Sequence, residues 1–404
     1  MGCAVSRNDR LRRGSSTMQM GSTMGFAGAK RRAQDDVDKP QSSQGRGVVE
    51  RSVHPPSPPA RSKPVPRGEP GEGHRRSGEA SSPGPRSLSL VIPARNRARL
   101  IEPCLESLLR AVEPLARMGV KAEIVVANDA STDETPQVVE RVAESASVPV
   151  RCVTLSTRQG PGRARNAAIE AATGELIVFV DSDVIVEEDF LEAHVAAHRA
   201  SGSQVFTVGK LISVPSLEAA QARTEATVWD FSSATLDTAN AAVRKEHLEA
   251  VGAFDKGFEG MGWQDIDLGR RLKRHGLTRV AVPEAVGYHI QPLIQTQEQL
   301  VARMNKERER GVSAVYFMAK YPGLSARLAA QDTALHRALN WIFRMGGLVR
   351  EDNVLSWVER ARKRGRVALE KMWLAGVINQ AYLESLAATR RAARSDGSHR
   401  ELRG

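Results

Sequence analysis

The stretch Gly174-Glu175-Leu176-Ile177-Val178-Phe179-Val180-Asp181-Ser182-Asp183 decides the fold. Leu176 to Val180 is an unbroken apolar run, mostly β-branched and aromatic and too short for an ordinary helix, so it reads as a strand buried on both faces. Gly174 in front of it reads as the C-cap of a preceding helix. Asp181 and Asp183 sit at the strand exit, the edge where open α/β sheets place their ligands. Two carboxylates in such a loop suit a hard divalent cation, Mg²⁺ or Mn²⁺, which in turn neutralises a diphosphate. The competing reading of the same residues is a plain turn or helix cap, where Asp is common.

Working outward, Leu88-Ser89-Leu90-Val91-Ile92, Glu123-Ile124-Val125-Val126-Ala127 and Val150 to Leu155 read as further strands. Between them lie segments with helical spacing: Leu100 to Met118, Thr135 to Ala143 and Gly162 to Ala172. Strands alternating with helices predict βαβ units, hence an α/β fold with a mostly parallel central sheet. Two more acidic clusters follow in the chain. Asn128-Asp129 closes the second strand, and Trp263-Gln264-Asp265-Ile266-Asp267 follows the glycine-rich run from Gly257 to Gly262.

The 404 residues suit two to three domains, and their 58 Lys and Arg against 47 Asp and Glu leave a net charge of +11. Such a balance points first to nucleic acid or an anionic membrane surface. The charge is unevenly spread: residues 1–86 carry +8, residues 87–295 carry −6 and residues 296–404 carry +9. Aromatic residues make up 4% of the chain, too few for the interleaved basic and aromatic surface of a nucleic-acid binder. Residues 1–86, with ten prolines, twelve glycines and Phe26 as their one aromatic, read as a disordered basic Pro/Gly/Ser-rich leader. Residues 296–404 read as a basic helical extension, with Asn353 placed as a helix N-cap. The sequence holds neither an apolar stretch of the ~20 residues a transmembrane helix needs nor a signal-peptide core near residue 1. Cys3, Cys104 and Cys152 have neither metal-ligand spacing nor the number for a disulfide framework, which fits a reducing, cytoplasmic setting.

From Leu88 to about Pro292 the chain resembles a family-2 glycosyltransferase of the GT-A fold, a nucleotide-diphospho-sugar transferase with a Rossmann-like sandwich. The resemblance is carried, in the family's order, by Val91-Ile92-Pro93-Ala94-Arg95-Asn96, Asn128-Asp129-Ala130-Ser131-Thr132-Asp133, Gly162-Arg163-Ala164-Arg165-Asn166, Gly174-Glu175 and Asp181-Ser182-Asp183. It implies a domain over residues 87–295, of which 87–190 bind the nucleotide sugar and 191–295 supply the acceptor side and the catalytic base.

Residue by residue, the resemblance implies that Pro93 and Asn96 line the nucleotide pocket and that Asp129 accepts a hydrogen bond from base or ribose. Arg163, Arg165 and Asn166 would face the donor, the guanidinium forks suiting anionic oxygens. Asp181 would contact ribose or metal, Asp183 would be the main metal ligand, and His289 a further one. In the third cluster Asp265 matches the carboxylate that deprotonates the acceptor hydroxyl in an inverting transfer, with Asp267 as second choice. Trp263 offers an apolar face on which an acceptor sugar would stack. Departures from the pattern are Asn128 for the first Asp, Gln264 for a Glu, and Ala130 for a glycine, the last making a positive φ there less expected.

Asn240, in a looser match, either contacts the donor or is an ordinary strand residue. His194 and His198, four apart on the expected helix from Glu188 to Ala200, read as surface residues, because no Glu lies between them in the zinc-binding arrangement. Met1-Gly2-Cys3-Ala4-Val5-Ser6 fits a myristoylation pattern, or chance, or a start upstream of the true one. The block from Arg360 to Arg366 fits either peripheral contact with the anionic inner face of the plasma membrane or a solvated basic helix face.

The expectation is therefore an inverting, metal-dependent glycosyltransferase that moves a sugar from a nucleoside-diphosphate sugar to a hydroxyl of a sugar, lipid-linked or polysaccharide acceptor, in cell-surface polysaccharide or glycolipid synthesis. Its rivals are a nucleotidyltransferase on a similar sheet, which would need more glycine after the first strand than Pro93-Ala94-Arg95-Asn96 offers, and a non-catalytic nucleotide-sugar-binding module.

Overall fold

In the computed structural model, which describes residues 84–224 and 235–395, every strand expected from an apolar run is present. The strands are β1 (Ser87–Ala94), β2 (Lys121–Asn128), β3 (Val150–Thr154), β4 (Leu176–Val180), β5 (Val184–Val186), β6 (Val205–Val214), β7 (Asn240–Arg244) and β8 (Thr278–Ile290). They form one sheet in the order β3-β2-β1-β4-β7-β6-β8-β5. The first four run parallel, as the βαβ pattern requires, whereas β7 is antiparallel to both β4 and β6. The sheet is thus mixed, and its chain direction changes beside β4, the strand that ends in Asp181.

Helices α1 (Ala98–Val112), α2 (Thr135–Ser145), α3 (Pro161–Ala171), α4 (Phe190–Ser201), α5 (Leu217–Gln221), α6 (Lys245–Ala250) and α7 (Gln264–Arg274) complete the α/β body. Alternate residues of a strand face opposite sides, and β1 shows it: Leu88, Leu90 and Ile92 pack into one core with α1 and α2, while Val91 joins a second core with α3 and α7. Gly174 does not cap α3, which closes at Ala172 in extended backbone. Its lack of a side chain serves close packing instead, since a Cβ there would collide with the backbone of Leu88 and Ser89.

The extension forms α8 (Gln297–Lys320), α9 (Leu324–Ala329), α10 (Ala334–Phe343), α11 (Val354–Lys363) and α12 (Val367–Ser395). It is packed onto the sheet domain rather than appended to it. Phe258 and Trp263 share a core with Phe317, Tyr321, Tyr382 and Leu386. Asn353 occupies the N-cap position of α11, although its side chain makes no capping bond to the helix. Among the described residues no helix is long and apolar enough to cross a membrane. Residues 1–83 of the expected leader, the myristoylation pattern among them, lie outside the described residues.

His194 and His198 are not surface residues: both are fully buried under the sheet. Nε2 of His194 donates to Asn240 Oδ1 (2.9 Å) and Nδ1 lies 2.8 Å from Thr207 Oγ1, while Asn240 Nδ2 donates to the carbonyls of Lys210 and Ala285. Asn240 is thereby committed to the core and does not reach a ligand. The spacing of four placed both imidazoles on one helix face as expected, but that face is the inner one of α4.

Burial holds the pKa down to about 4 for His194 and, with the unfavourable proximity of a second imidazole adding to it, to about 3 for His198. Both are neutral in the fold, and on unfolding they return to about 6.5. The unfolded chain then binds protons that the native one does not, so this stabilisation is complete above about pH 6.5 and is lost as pH falls toward the native values. Denaturant unfolding at about pH 7 and about pH 5 should differ by roughly 2 kcal/mol for each of the two histidines. The same comparison on His198→Asn should show about half of that loss; an undiminished loss would mean that other groups carry it.

Candidate active site

The carboxyl ends of β1, β2 and β4 open into a cavity of about 500 Å³, within the range of small-molecule sites. Of the residues singled out from sequence, Pro93, Asn96, Asp129, Arg165, Asp181, Asp183, Asp265 and His289 line it. Arg97, Arg158, Asp237, Arg303 and Lys306 line it too, and none of these stood out in the sequence. Arg97 was findable, since it directly follows Asn96. Arg303 and Lys306 lie on α8 in a charged run indistinguishable by pattern from a solvated face.

The β1 and β2 loops are fastened to each other. Asn96, at φ +52°, accepts the Thr132 amide on its Oδ1 (2.8 Å), and Arg95 donates to the carbonyls of Asp129 and Ala130. Ala130 does adopt a positive φ of +50°, against the expectation from its missing glycine. The Arg95 clamp and the Ser131 amide held by Asn128 Oδ1 (3.1 Å) impose a conformation that alanine disfavours.

The Asp129 carboxylate accepts the backbone amides of Gln159 (2.6 Å) and Gly160 (2.9 Å). It thus fixes the turn into α3. Gly160 there has φ +87°, and a Cβ on it would press against the Gly260 carbonyl, so the turn needs glycine twice over.

At the β4 exit the two carboxylates have different partners. Arg165, itself buried, pairs with Asp181 at 2.5 Å. Burial pushes the Asp181 carboxyl up and Asp183 pushes it further, against the pull of Arg165. Asp183 meets His289 Nε2 (3.4 Å) and Arg97 (3.3 Å). For Asp183 burial is outweighed by the bond from His289 and the charges of His289 and Arg97, which hold its carboxyl below the usual range. His289 is raised in return, its bond to Asp183 overcoming burial. Lys306 reaches the same side, with burial and Arg97 lowering its pKa.

A divalent ion is compatible with these donors. Asp183 Oδ1 and His289 Nε2 both line the cavity, and one or two protein ligands completed by substrate phosphates is the usual way Mg²⁺ is held. Among the described residues no group of three or more His, Cys, Asp or Glu side chains is arranged to hold an ion unaided. The Asp181 carboxylate is turned to Arg165.

Like Asp129 and Asp237 in the same cavity, Asp265 forms no ion pair among the described residues. It opens α7, its Oδ1 bonds only the Ile266 amide beside it, and burial together with the nearby Asp237 charge raises its pKa. Asp267, two residues on, is not in the cavity. It is wholly inaccessible and is bound by Arg271 Nε (2.8 Å), Lys320 Nζ (2.6 Å) and Tyr321 Oη (2.7 Å). The two point to opposite sides because residues two apart on a helix do not share a face.

Three further expectations are also corrected by the geometry. Trp263 cannot stack on a sugar: it is buried against Phe317 with its Nε1 donating to the Arg310 carbonyl (3.0 Å). Arg163 faces away from the cavity and binds the Lys256 carbonyl (2.7 Å). Asn166 exchanges a pair of hydrogen bonds with the Phe254 backbone. All three hold the 254–263 segment in place; none lines the cavity.

Residues 89–248 match the family described as Glycosyl transferase family 2. The chain is 37% identical over 119 residues to the succinoglycan biosynthesis protein ExoO of Rhizobium meliloti (strain 1021), covering 29% of this chain and 31% of that protein. It is 27% identical over 276 residues to a validoxylamine A glucosyltransferase of Streptomyces hygroscopicus subsp. jinggangensis (strain 5008), covering 60% and 62%. The matches thus span less than two thirds of either relative. Among solved structures, the mannosyltransferase PcManGT from Pyrobaculum calidifontis in complex with GDP-Man and Mn²⁺ aligns with a TM-score of 0.47 at 20% identity, over 78% of this chain and 90% of that one. Residues 1–349 of S. aureus TarS in complex with UDP-GlcNAc align at 0.44 and 18% identity, over 76% and 92%.

The two neighbouring carboxylates should separate cleanly in a melting experiment. Asp267→Ala removes the buried partner shared by Arg271, Lys320 and Tyr321, although Lys320 keeps Asp255 and Arg271 the Val251 and Ala253 carbonyls, and should cost roughly 3 kcal/mol. Asp265→Ala, which removes a carboxylate that burial already disfavours, should leave stability within about 1 kcal/mol of the parent or raise it. Equal losses in the two variants would overturn the division of roles.

Proposed function

We propose that the chain, whose residues 89–248 match the family described as Glycosyl transferase family 2, is an inverting enzyme that moves a sugar from a nucleoside-diphosphate sugar to an acceptor hydroxyl. The observation that carries this reading is a contrast of partners within one cavity: Asp181 is ion-paired to Arg165 and Asp183 to Arg97, whereas Asp265, at the start of α7, forms no ion pair among the described residues. An inverting transfer asks for such a division: a free base on the acceptor side and compensated charge where the diphosphate lies.

In this scheme the nucleotide lies over Pro93, Asn96 and Asp129, and Arg97, Arg303 and Lys306 face its diphosphate. Bound Mg²⁺ or Mn²⁺, held by Asp183 and His289 with Asp181 behind them, would neutralise the diphosphate and favour its departure. Asp265 takes the proton of the acceptor hydroxyl as that oxygen bonds to the anomeric carbon. The bond from that carbon to the diphosphate breaks on the opposite face, and the nucleoside diphosphate leaves with the electron pair. The names of relatives such as ExoO and the poly(ribitol-phosphate) β-N-acetylglucosaminyltransferase TarS support a role in cell-surface polysaccharide or glycolipid synthesis.

Asp265→Asn should lower transfer by roughly 10³-fold or more while leaving donor affinity within about twofold, because a general base acts only as the hydroxyl is deprotonated. Asp183→Ala should instead weaken donor binding in calorimetry, and only when Mn²⁺ is present. Undiminished turnover in Asp265→Asn removes Asp265 as the base. Equal donor affinity with Mn²⁺ and with a chelator in the parent protein removes the ion from the scheme.

A further inference from the structure

Helix α10 is built inside out. Its polar Asn340 is 4% exposed and turned toward α12, where it receives a bond from Asn379 (3.2 Å) and gives one to Gln380 (2.8 Å). Its apolar stripe at i, i+4 and i+7, Leu335, Leu339 and Ile342, faces outward. Leu335 is 63% exposed, Trp341 beside the stripe 62%, and Leu348 just beyond the helix 59%. Single exposed leucines need no explanation, but a cluster of this kind on one short segment marks an interaction surface.

The charge around the cluster says what it meets. From Leu324 to Arg350 the sequence has four arginines and a single acidic residue, Asp332. Asp332 is fully buried and takes ion pairs from Arg327, Arg337 and Arg390. Within this stretch the exposed charges are therefore arginines; Glu351 and Asp352 follow it directly, and residues 296–404 as a whole carry +9. A second copy of the chain, docking through the same face, would set these arginines against their own kind. Short helices with an aromatic and aliphatic face and an arginine rim suit the boundary between headgroups and acyl chains, where anionic lipid adds attraction.

We propose that α10 and the turn after it, from Leu335 to Leu348, form a membrane-docking surface that seats this protein on anionic bilayers without crossing them. The surface does not depend on the proposed chemistry, and its test reads binding rather than turnover. The full chain is sedimented with vesicles of phosphatidylcholine alone and with vesicles containing about a third phosphatidylglycerol. It should pellet with the anionic vesicles and bind the neutral ones roughly tenfold more weakly or less. Trp341→Ser with Ile342→Ser should lose roughly tenfold or more in affinity for the anionic vesicles at an unchanged melting midpoint. Leu335→Ser serves as an independent probe should that double variant melt early. Failure to pellet, equal pelleting of the variants, or a solution dimer that the variants dissociate would each overturn the proposal, the last by making a second copy the occupant.

Discussion

The site depends on one buried carboxylate. Asp267 lies under α8 without solvent contact, satisfied by Arg271 from its own helix and by Lys320 and Tyr321 from the extension. A charge in that position is tolerated only because it is fully paired and hydrogen-bonded. The pairing sets the rotation of α7 about its axis, and that rotation turns Asp265 into the cavity. Trp263, at φ +72° just before the helix, is kept in its left-handed backbone by Phe317 and the Arg310 carbonyl, both from α8. The position proposed for the base, in the sheet domain, is thus held from outside it.

The same helix alters the electrostatics of the cavity. Residues 87–295 carry −6, and that acidity alone would repel a nucleoside diphosphate. Arg303 and Lys306 bring cationic charge from the basic extension to the cavity wall, beside Arg97 and Asp183. Part of the basic charge at the chain's end therefore belongs to the cavity, and part edges the apolar face of α10. Neither location needs nucleic acid to account for it.

Much of this was legible from residues 84–183. Runs such as Leu176–Val180 are short, apolar and bounded by turn residues, and local pattern suffices to make them strands. Their exits then place Pro93, Asn96, Asp129, Asp181 and Asp183 at one edge of a parallel sheet, because parallel strands share a direction. Failures came where chemistry depends on which way a side chain points. Trp263, Arg163, Asn166 and Asp267 all sit within matching motifs, yet each serves packing. His194 and His198 have a spacing that fits either face of α4, and only the strands beneath it make that face the inner one.

Local sequence by itself determined the α/β alternation, the strand-end loops and the identity of the acidic clusters, since these follow from hydrophobic period and turn chemistry over a few residues. Tertiary structure alone decided that Asp265 faces the cavity while Asp267 faces away, that Arg303 and Lys306 belong to it, and that α10 shows its leucines to the outside. Each of these rests on contacts between segments tens of residues apart, and a pattern with a period of two or 3.6 residues carries no information about what lies opposite.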